Sequence, residues 1–179
     1  LMGLNMNKSL SDYHSLIDLF EEFRENIKPV VINGLPDFTT STMENQYNDL
    51  KLLQERFGNI QISDWDVSKQ VDYHVLRSEM NGVEFDHRVL KQWSRDPGFY
   101  NLTDGIYPRL LVHHSRSLSD WGLYEPEFPL PTKDYEDFKT KLKVIPKLFD
   151  QAKHNLTNAV PELAEIAIRV KEKDIQLLD

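Results

Sequence analysis

Apolar residues recur every three or four positions along most of the chain, the period of helices packed on one face. From Ser11 onward Tyr13, Leu16, Ile17, Phe20, Phe23 and Ile27 form such a stripe, and Pro29 stops it. Val30, Val31 and Ile32 are extended, ahead of turn signals at Asn33-Gly34 and Pro36-Asp37. Ser41 or Thr42 then caps a second helix carrying Tyr47, Leu50, Leu53 and Phe57, closed by Gly58-Asn59. These two helices read as an antiparallel pair, and the linker between them holds too few alternating residues for a sheet.

The third helix starts near Ser63 or Asp66 and runs toward Trp93, with Gly82 its one weak interior position. At 100° per residue its side chains separate into three sets. One apolar stripe holds Tyr73, Leu76, Met80, Val83, His87 and Leu90. A second holds Val71, Val75, Ser78, Gly82, Phe85, Val89 and Trp93. The remaining face, Gln70, His74, Arg77, Asn81, Glu84, Arg88 and Lys91, is polar throughout. Two apolar stripes predict a helix packed on two sides, the centre of a bundle.

Beyond it Asp96-Pro97 signals a new start, an aspartate cap ahead of proline at the first helical position. An irregular helical stretch with Ile106, Leu110 and Leu111 follows, and Pro126, Pro129 and Pro131 make a stiff connector. Thr132 caps a fifth helix through Tyr135, Phe138, Leu142, Ile145, Phe149 and Ala152, with Pro146 expected to kink it. A last helix opens at Pro161 and carries Leu163, Ile166, Val170 and Leu177. The expected fold class is all-α. It is a bundle or curved array of five to six helices around a long central one, in a single helical domain over residues 1–179.

Composition narrows the function more than the fold. The 179 residues carry 21 Lys and Arg against 29 Asp and Glu, and every third of the chain is mildly acidic. Binding a nucleic-acid backbone needs clustered cations, so no nucleic-acid partner is expected. No apolar run reaches the roughly 20 residues of a membrane span. Cysteine is absent, which removes thiolate ligands and nucleophiles. The seven glycines are too scattered for a phosphate loop or a G-x-G-x-x-G turn. None of the six histidines stands four residues from another, so the H-E-x-x-H arrangement is missing, and no catalytic or metal residue is assigned.

Two constellations remain. Asp72, Glu79 and Asp86 repeat at heptad spacing between the two apolar stripes, which points them inward. Each step is about 10.5 Å along the axis, too far for neighbours to chelate one ion. Buried carboxylates need partners. They form internal ion pairs with arginines such as Arg95, Arg109 or Arg116, or else they line a cleft between helices. The second constellation is Trp93 to Tyr100. It reads as a helix corner with a capping Asp96 and packed aromatics, or as a place where Arg95, Asp96 or Tyr100 faces a ligand.

The run from Gln70 to Gly82, then Glu84 to Arg88, then Trp93 to Tyr100, resembles the bacterial domain-of-unknown-function family 885. Weaker echoes are Gly34 to Thr39, Leu142 to Pro146 and Asn155-Leu156-Thr157. Members of that family are all-helical, about three times this length, and similar to zinc metallopeptidases of the zincin type. The resemblance implies an N-terminal portion that forms one wall of a substrate cleft and is inactive alone. Zinc would belong to a C-terminal portion missing from this chain. That portion and a peptide substrate are the implied partners. Many members are exported, periplasmic or lipid-anchored, and no feature of this sequence reports a location. The other reading is a stand-alone, non-catalytic helical binding or scaffold module.

Overall fold

The structure, a computed structural model, describes residues 12–100 and 132–176. Their order is α1 (Tyr13–Asn26), β1 (Val31–Ile32), β2 (Leu35–Pro36), α2 (Thr40–Gly58), α3 (Val67–Phe85), a π-helical turn (Asp86–Leu90), α4 (Gln92–Arg95), a 3-10 turn (Pro97–Tyr100), α5 (Thr132–Asn155) and α6 (Pro161–Gln176). The fold is all-α with one two-stranded hairpin among the described residues. The expected helical stretch around Ile106 and the proline connector lie outside them.

Helices α1, α2 and α3 pack up, down and up. Asn26 meets Gln46 while Glu22 meets Arg56, so the α1 and α2 partners run in opposite directions. Tyr47 meets Glu84 while Phe57 stacks on Tyr73, which gives α2 and α3 the same relation. Between them lies an apolar core of Leu16, Leu19, Phe23 and Ile27, Leu50, Leu53, Phe57 and Ile60, and Leu76, Met80 and Val83. Tyr13, Leu16, Phe23 and Ile27 of the expected α1 stripe lie in or against this core, but Leu19 joins them in place of Ile17 and Phe20, which are exposed.

The linker does form a sheet, with Val31 opposite Pro36 and Ile32 opposite Leu35. Asn33 and Gly34 both have positive φ, 53° and 77°, the requirement of a two-residue hairpin turn twisted like its strands. Nothing lies within 4 Å of where a Gly34 side chain would be, so glycine is there for its backbone. Helix α2 begins earlier than expected. Its N-cap is Thr39, and Asp37 accepts from the Thr39 N–H at 2.9 Å and the Thr42 hydroxyl at 2.6 Å. Burial pushes the Asp37 carboxyl up, but those bonds outweigh it and hold it below its ordinary value.

The third helix is shorter than its periodicity predicts. Asp66 caps it, accepting from the Lys69 N–H at 3.1 Å. After Phe85 one turn widens: Lys91 N–H donates to the Asp86 carbonyl at 2.7 Å, five residues back. Lys91 then takes a left-handed conformation, φ 48°, which ends the run. A second core forms where the hairpin exit, this corner and α5 meet, around Phe38, Met43, Phe99, Tyr100, Leu148 and Ala152. Helix α5 continues through Pro146. Helix α6 opens at Pro161 as expected, buries Ala167 and Val170, and is tied to the corner by Val160 N–H donating to the Arg95 carbonyl at 2.9 Å.

Candidate functional site

The middle of the inner stripe of α3 is buried as expected, with Leu76, Met80 and Val83 each at most 4% exposed and His87 buried, whereas Leu90 at its end is exposed. The second stripe is not buried. Val71 is 52% exposed, Val75 57%, Phe85 46% and Val89 37%, and Val67 extends the row at 76%. Helix α3 is therefore packed on one side by the described residues, not two. Scattered apolar residues on a surface are ordinary, but a row at helical spacing is a face.

That outcome moves the acidic row. Asp72 and Glu79 are exposed and Asp86 is half-buried, where all three were expected to be shielded. The reason is geometric: residues between two stripes are enclosed only when both stripes are covered. Asp72 accepts from the Tyr13 hydroxyl at 2.6 Å, a bond that raises the Tyr13 pKa and pins α1 to α3 at their start. Its partner is a tyrosine and not the expected arginine. Asp86 accepts from Gln92 Nε2 at 3.3 Å across the π-helical turn. Arg109 and Arg116 lie outside the described residues.

The corner residues come together more tightly. Arg95 is half-buried; its Nη1 donates to the Val89 carbonyl at 3.3 Å, and its Nε is buried without a hydrogen-bond partner among the described residues. Asp96 accepts from the Gly98 N–H at 2.8 Å, the capping role the sequence suggested. Burial raises its carboxyl above the ordinary value, with the Gly98 N–H pulling the other way. The Tyr100 hydroxyl donates to the Trp93 carbonyl at 2.6 Å and accepts from Asn155 Nδ2 at 2.9 Å. Burial pushes that phenol up to about 12, so it stays a donor throughout the physiological range. Arg95, Asp96 and Tyr100 thus share one corner, while Asp72 belongs to the far end of α3.

Sequence reasoning did not reach the polar clamp behind Tyr100. Gln151 and Asn155, four apart on α5, hold the backbone of Phe38 from both sides. Gln151 Oε1 accepts from its N–H at 2.8 Å, and Asn155 Nδ2 donates to its carbonyl at 2.7 Å. Their spacing on one helical face was the available signal. His87 is buried beside Tyr47, ring centroids 5.5 Å apart, in the core position its stripe indicated.

Two concavities lie between the first three helices. An open groove of about 970 Å³ between α1 and α2 has exposed Leu52 on its wall and Glu21, Glu25 and Asp49 among its lining. Among its lining charges Arg56 grips Glu22 at 2.5 and 2.7 Å. A second cleft, about 470 Å³, opens between α2 and α3 on the polar flank of α3. Among the described residues no group of three or more His, Cys, Asp or Glu could hold a metal ion, and no helix is long and apolar enough to cross a membrane. In comparisons with known proteins the chain matches no family model, no curated protein and no solved structure.

Proposed function

We propose that this chain is a non-catalytic helical wall, built to be completed by further protein packed on the outward face of α3. In the form that the resemblance to family 885 implies, the further protein is the zinc-bearing portion of a metallopeptidase-like molecule, and the two portions enclose a peptide cleft. The described residues offer zinc no ligand set, so no step of hydrolysis is assigned to them.

One observation carries the reading: Val67, Val71 and Val75 at the start of α3, and Phe85 and Val89 at its end and in the π-helical turn, lie exposed on one face, with Ser78 and Gly82 between them. The Gln70 to Gly82 run that carries the resemblance lies on this same helix. Exposed apolar area on that scale gains about 25 cal/mol per Å² when covered, which makes it an economical place for a partner to bind.

The natural gene product tests the reading through intact mass and zinc content. A product well above 21.0 kDa with stoichiometric zinc is expected. A zinc-free product of 21.0 kDa overturns the wall reading and leaves the stand-alone binding module. Val71→Asp combined with Val75→Asp sharpens the test. The isolated chain should keep its stability within about 0.5 kcal/mol per site, because both residues are exposed. The larger protein should lose far more, because each charge would be buried at a contact.

A further inference from the structure

The α2–α3 cleft carries a second proposal, independent of the first. Lys51, Gln54 and Phe57 contribute to it from α2, and Tyr73, Arg77 and Asn81 from α3. Phe57 and Tyr73 stack at 4.2 Å with an interplanar angle of 16°, making one aromatic wall. Gln54 spans the cleft floor, but its Nε2 reaches the Met80 carbonyl only at 3.5 Å and Asn81 Oδ1 at 3.4 Å. Both are long for an N–H to oxygen bond, so the floor is loosely tied. With its oxygen turned to Gln54, the Asn81 side chain keeps Nδ2 as a donor.

The charges make the cleft unusual for this chain. Acidic residues outnumber basic ones 29 to 21, so carboxylate partners are plentiful. Lys28, Arg56, Lys69, Arg88, Lys139 and Lys153 each have one. Lys51 and Arg77 form no ion pair with any described residue. The single acid on the rim, Glu84, is committed elsewhere, accepting from Arg88 Nε at 2.6 Å and from the Tyr47 hydroxyl at 3.3 Å. Arg88 foremost, against the effect of burial, holds the Glu84 carboxyl low, and Lys51 contributes only through its charge. The cleft therefore presents two cations and an amide donor beside a single lining carboxylate, Glu84, whose hydrogen bonds go to Arg88 and Tyr47 and not to Lys51 or Arg77.

We propose that this cleft binds a carboxylate, with Arg77 as the forked donor, Lys51 as the point charge and Asn81 Nδ2 as a third contact. The Phe57–Tyr73 wall receives an apolar group next to it. Arginine suits the role because its planar fork matches both carboxylate oxygens. The carboxylate could come from an acidic peptide side chain or from a small free dicarboxylate, and the two sources separate experimentally.

The test is a titration of the ¹⁵N-labelled 179-residue chain, followed by amide shifts at constant ionic strength. Three probes are used: acetyl-Ala-Glu-Phe-amide, its isosteric acetyl-Ala-Gln-Phe-amide, and succinate. Saturable shifts at Gln54, Arg77 and Asn81 are expected with the Glu peptide and not with the Gln peptide. Succinate binding as tightly as the Glu peptide assigns the free dicarboxylate; a response to the Glu peptide alone assigns an acidic peptide. Arg77→Ala and Lys51→Ala should each weaken binding about tenfold, the loss typical of a charge-assisted hydrogen bond, and Arg24→Ala on α1 should leave it unchanged. Circular dichroism confirms that each variant is folded, which both exposed positions favour. Several results overturn the proposal: equal responses to the Glu and Gln peptides, no saturable response to either carboxylate probe, shifts outside the cleft, inorganic phosphate binding as well as the carboxylates, or a folded Arg77→Ala variant that binds normally.

Discussion

Leu16, Leu19 and Phe23 of α1 are closed over by Leu50, Leu53 and Phe57 of α2 and by Leu76, Met80 and Val83 of α3, all of them apolar side chains. Around α5 the interior is built differently. Phe38 meets Phe99 and Tyr100 edge to face at 4.9 and 6.1 Å, and the buried Asn155 donates to the Phe38 carbonyl and to the Tyr100 hydroxyl. The first core is held by area removed from water, which has no direction. The second is held partly by bonds that work only in one geometry. Area-held packing tolerates shape-conserving exchange, whereas a directional network fails when any member leaves.

Truncation of an apolar residue should produce the largest effect, and should not distinguish the cores. Leu50 and Leu148, one in each, are both fully buried. Leu50→Ala and Leu148→Ala should each cost about 2–5 kcal/mol in urea unfolding, the lost transfer energy plus the cavity left behind. If Leu148→Ala cost under about 1 kcal/mol, the second core would not be close-packed, and the comparison would collapse.

Removing polar groups should separate them. Asn155→Ala leaves the Phe38 carbonyl without its donor in a buried setting, a loss of about 1–3 kcal/mol. Tyr100→Phe does the same to the Trp93 carbonyl. Because Asn155 and Tyr100 are bonded to each other, the double variant should fall short of or exceed the sum of the singles by about 0.5 kcal/mol or more. Strict additivity in that cycle would show that the two act as separate contacts and not as a network.

The same contrast explains what could be seen in the sequence. Helical period places α1 and α2, and local start signals place the beginnings of α3 and α6, because each depends on residues a turn apart; the expected cap of α2 is displaced to Thr39. The inner α3 stripe follows for the same reason. The outward stripe has an equally clear pattern, yet period alone does not reveal whether anything covers it, and Val71 and Val75 are open here. The fate of Asp72 and Glu79 hangs on that same question. The end of α3 is set by a single widened turn and a left-handed Lys91, a backbone choice with no periodic trace. The hairpin was missed because two-residue strands are too short to alternate, although Asn33-Gly34 announced its turn. In the α2–α3 cleft the polar row Arg77, Asn81, Glu84 and Arg88 was visible. Its juxtaposition with Lys51 and Gln54 came only from the packing of one helix on another.

Acid should reveal the last and smallest difference. Burial raises the Asp96 carboxyl at the second core's corner, whereas Glu22 and Glu84, beside the first core, are held low chiefly by Arg56 and Arg88. A raised folded pKa means that the stability Asp96 contributes is complete below its ordinary value of 3.8 and is lost as pH rises through the raised value. The depressed glutamates work in the opposite sense: their contribution is present above their unfolded pKa and disappears as pH falls through the folded one. Asp96→Asn removes the charge but keeps an oxygen to accept from the Gly98 N–H, so the cap survives. The variant should melt at a higher temperature than the parent at pH 7, where the parent's carboxylate is ionised and half-buried. That advantage should shrink as pH falls and vanish near pH 3, where about all of the parent's Asp96 is protonated as well. Thermal melts of the two proteins across that range give the answer. An advantage that stays constant with pH would mean that Asp96 acts at this corner through shape alone, and that its charge carries no cost there.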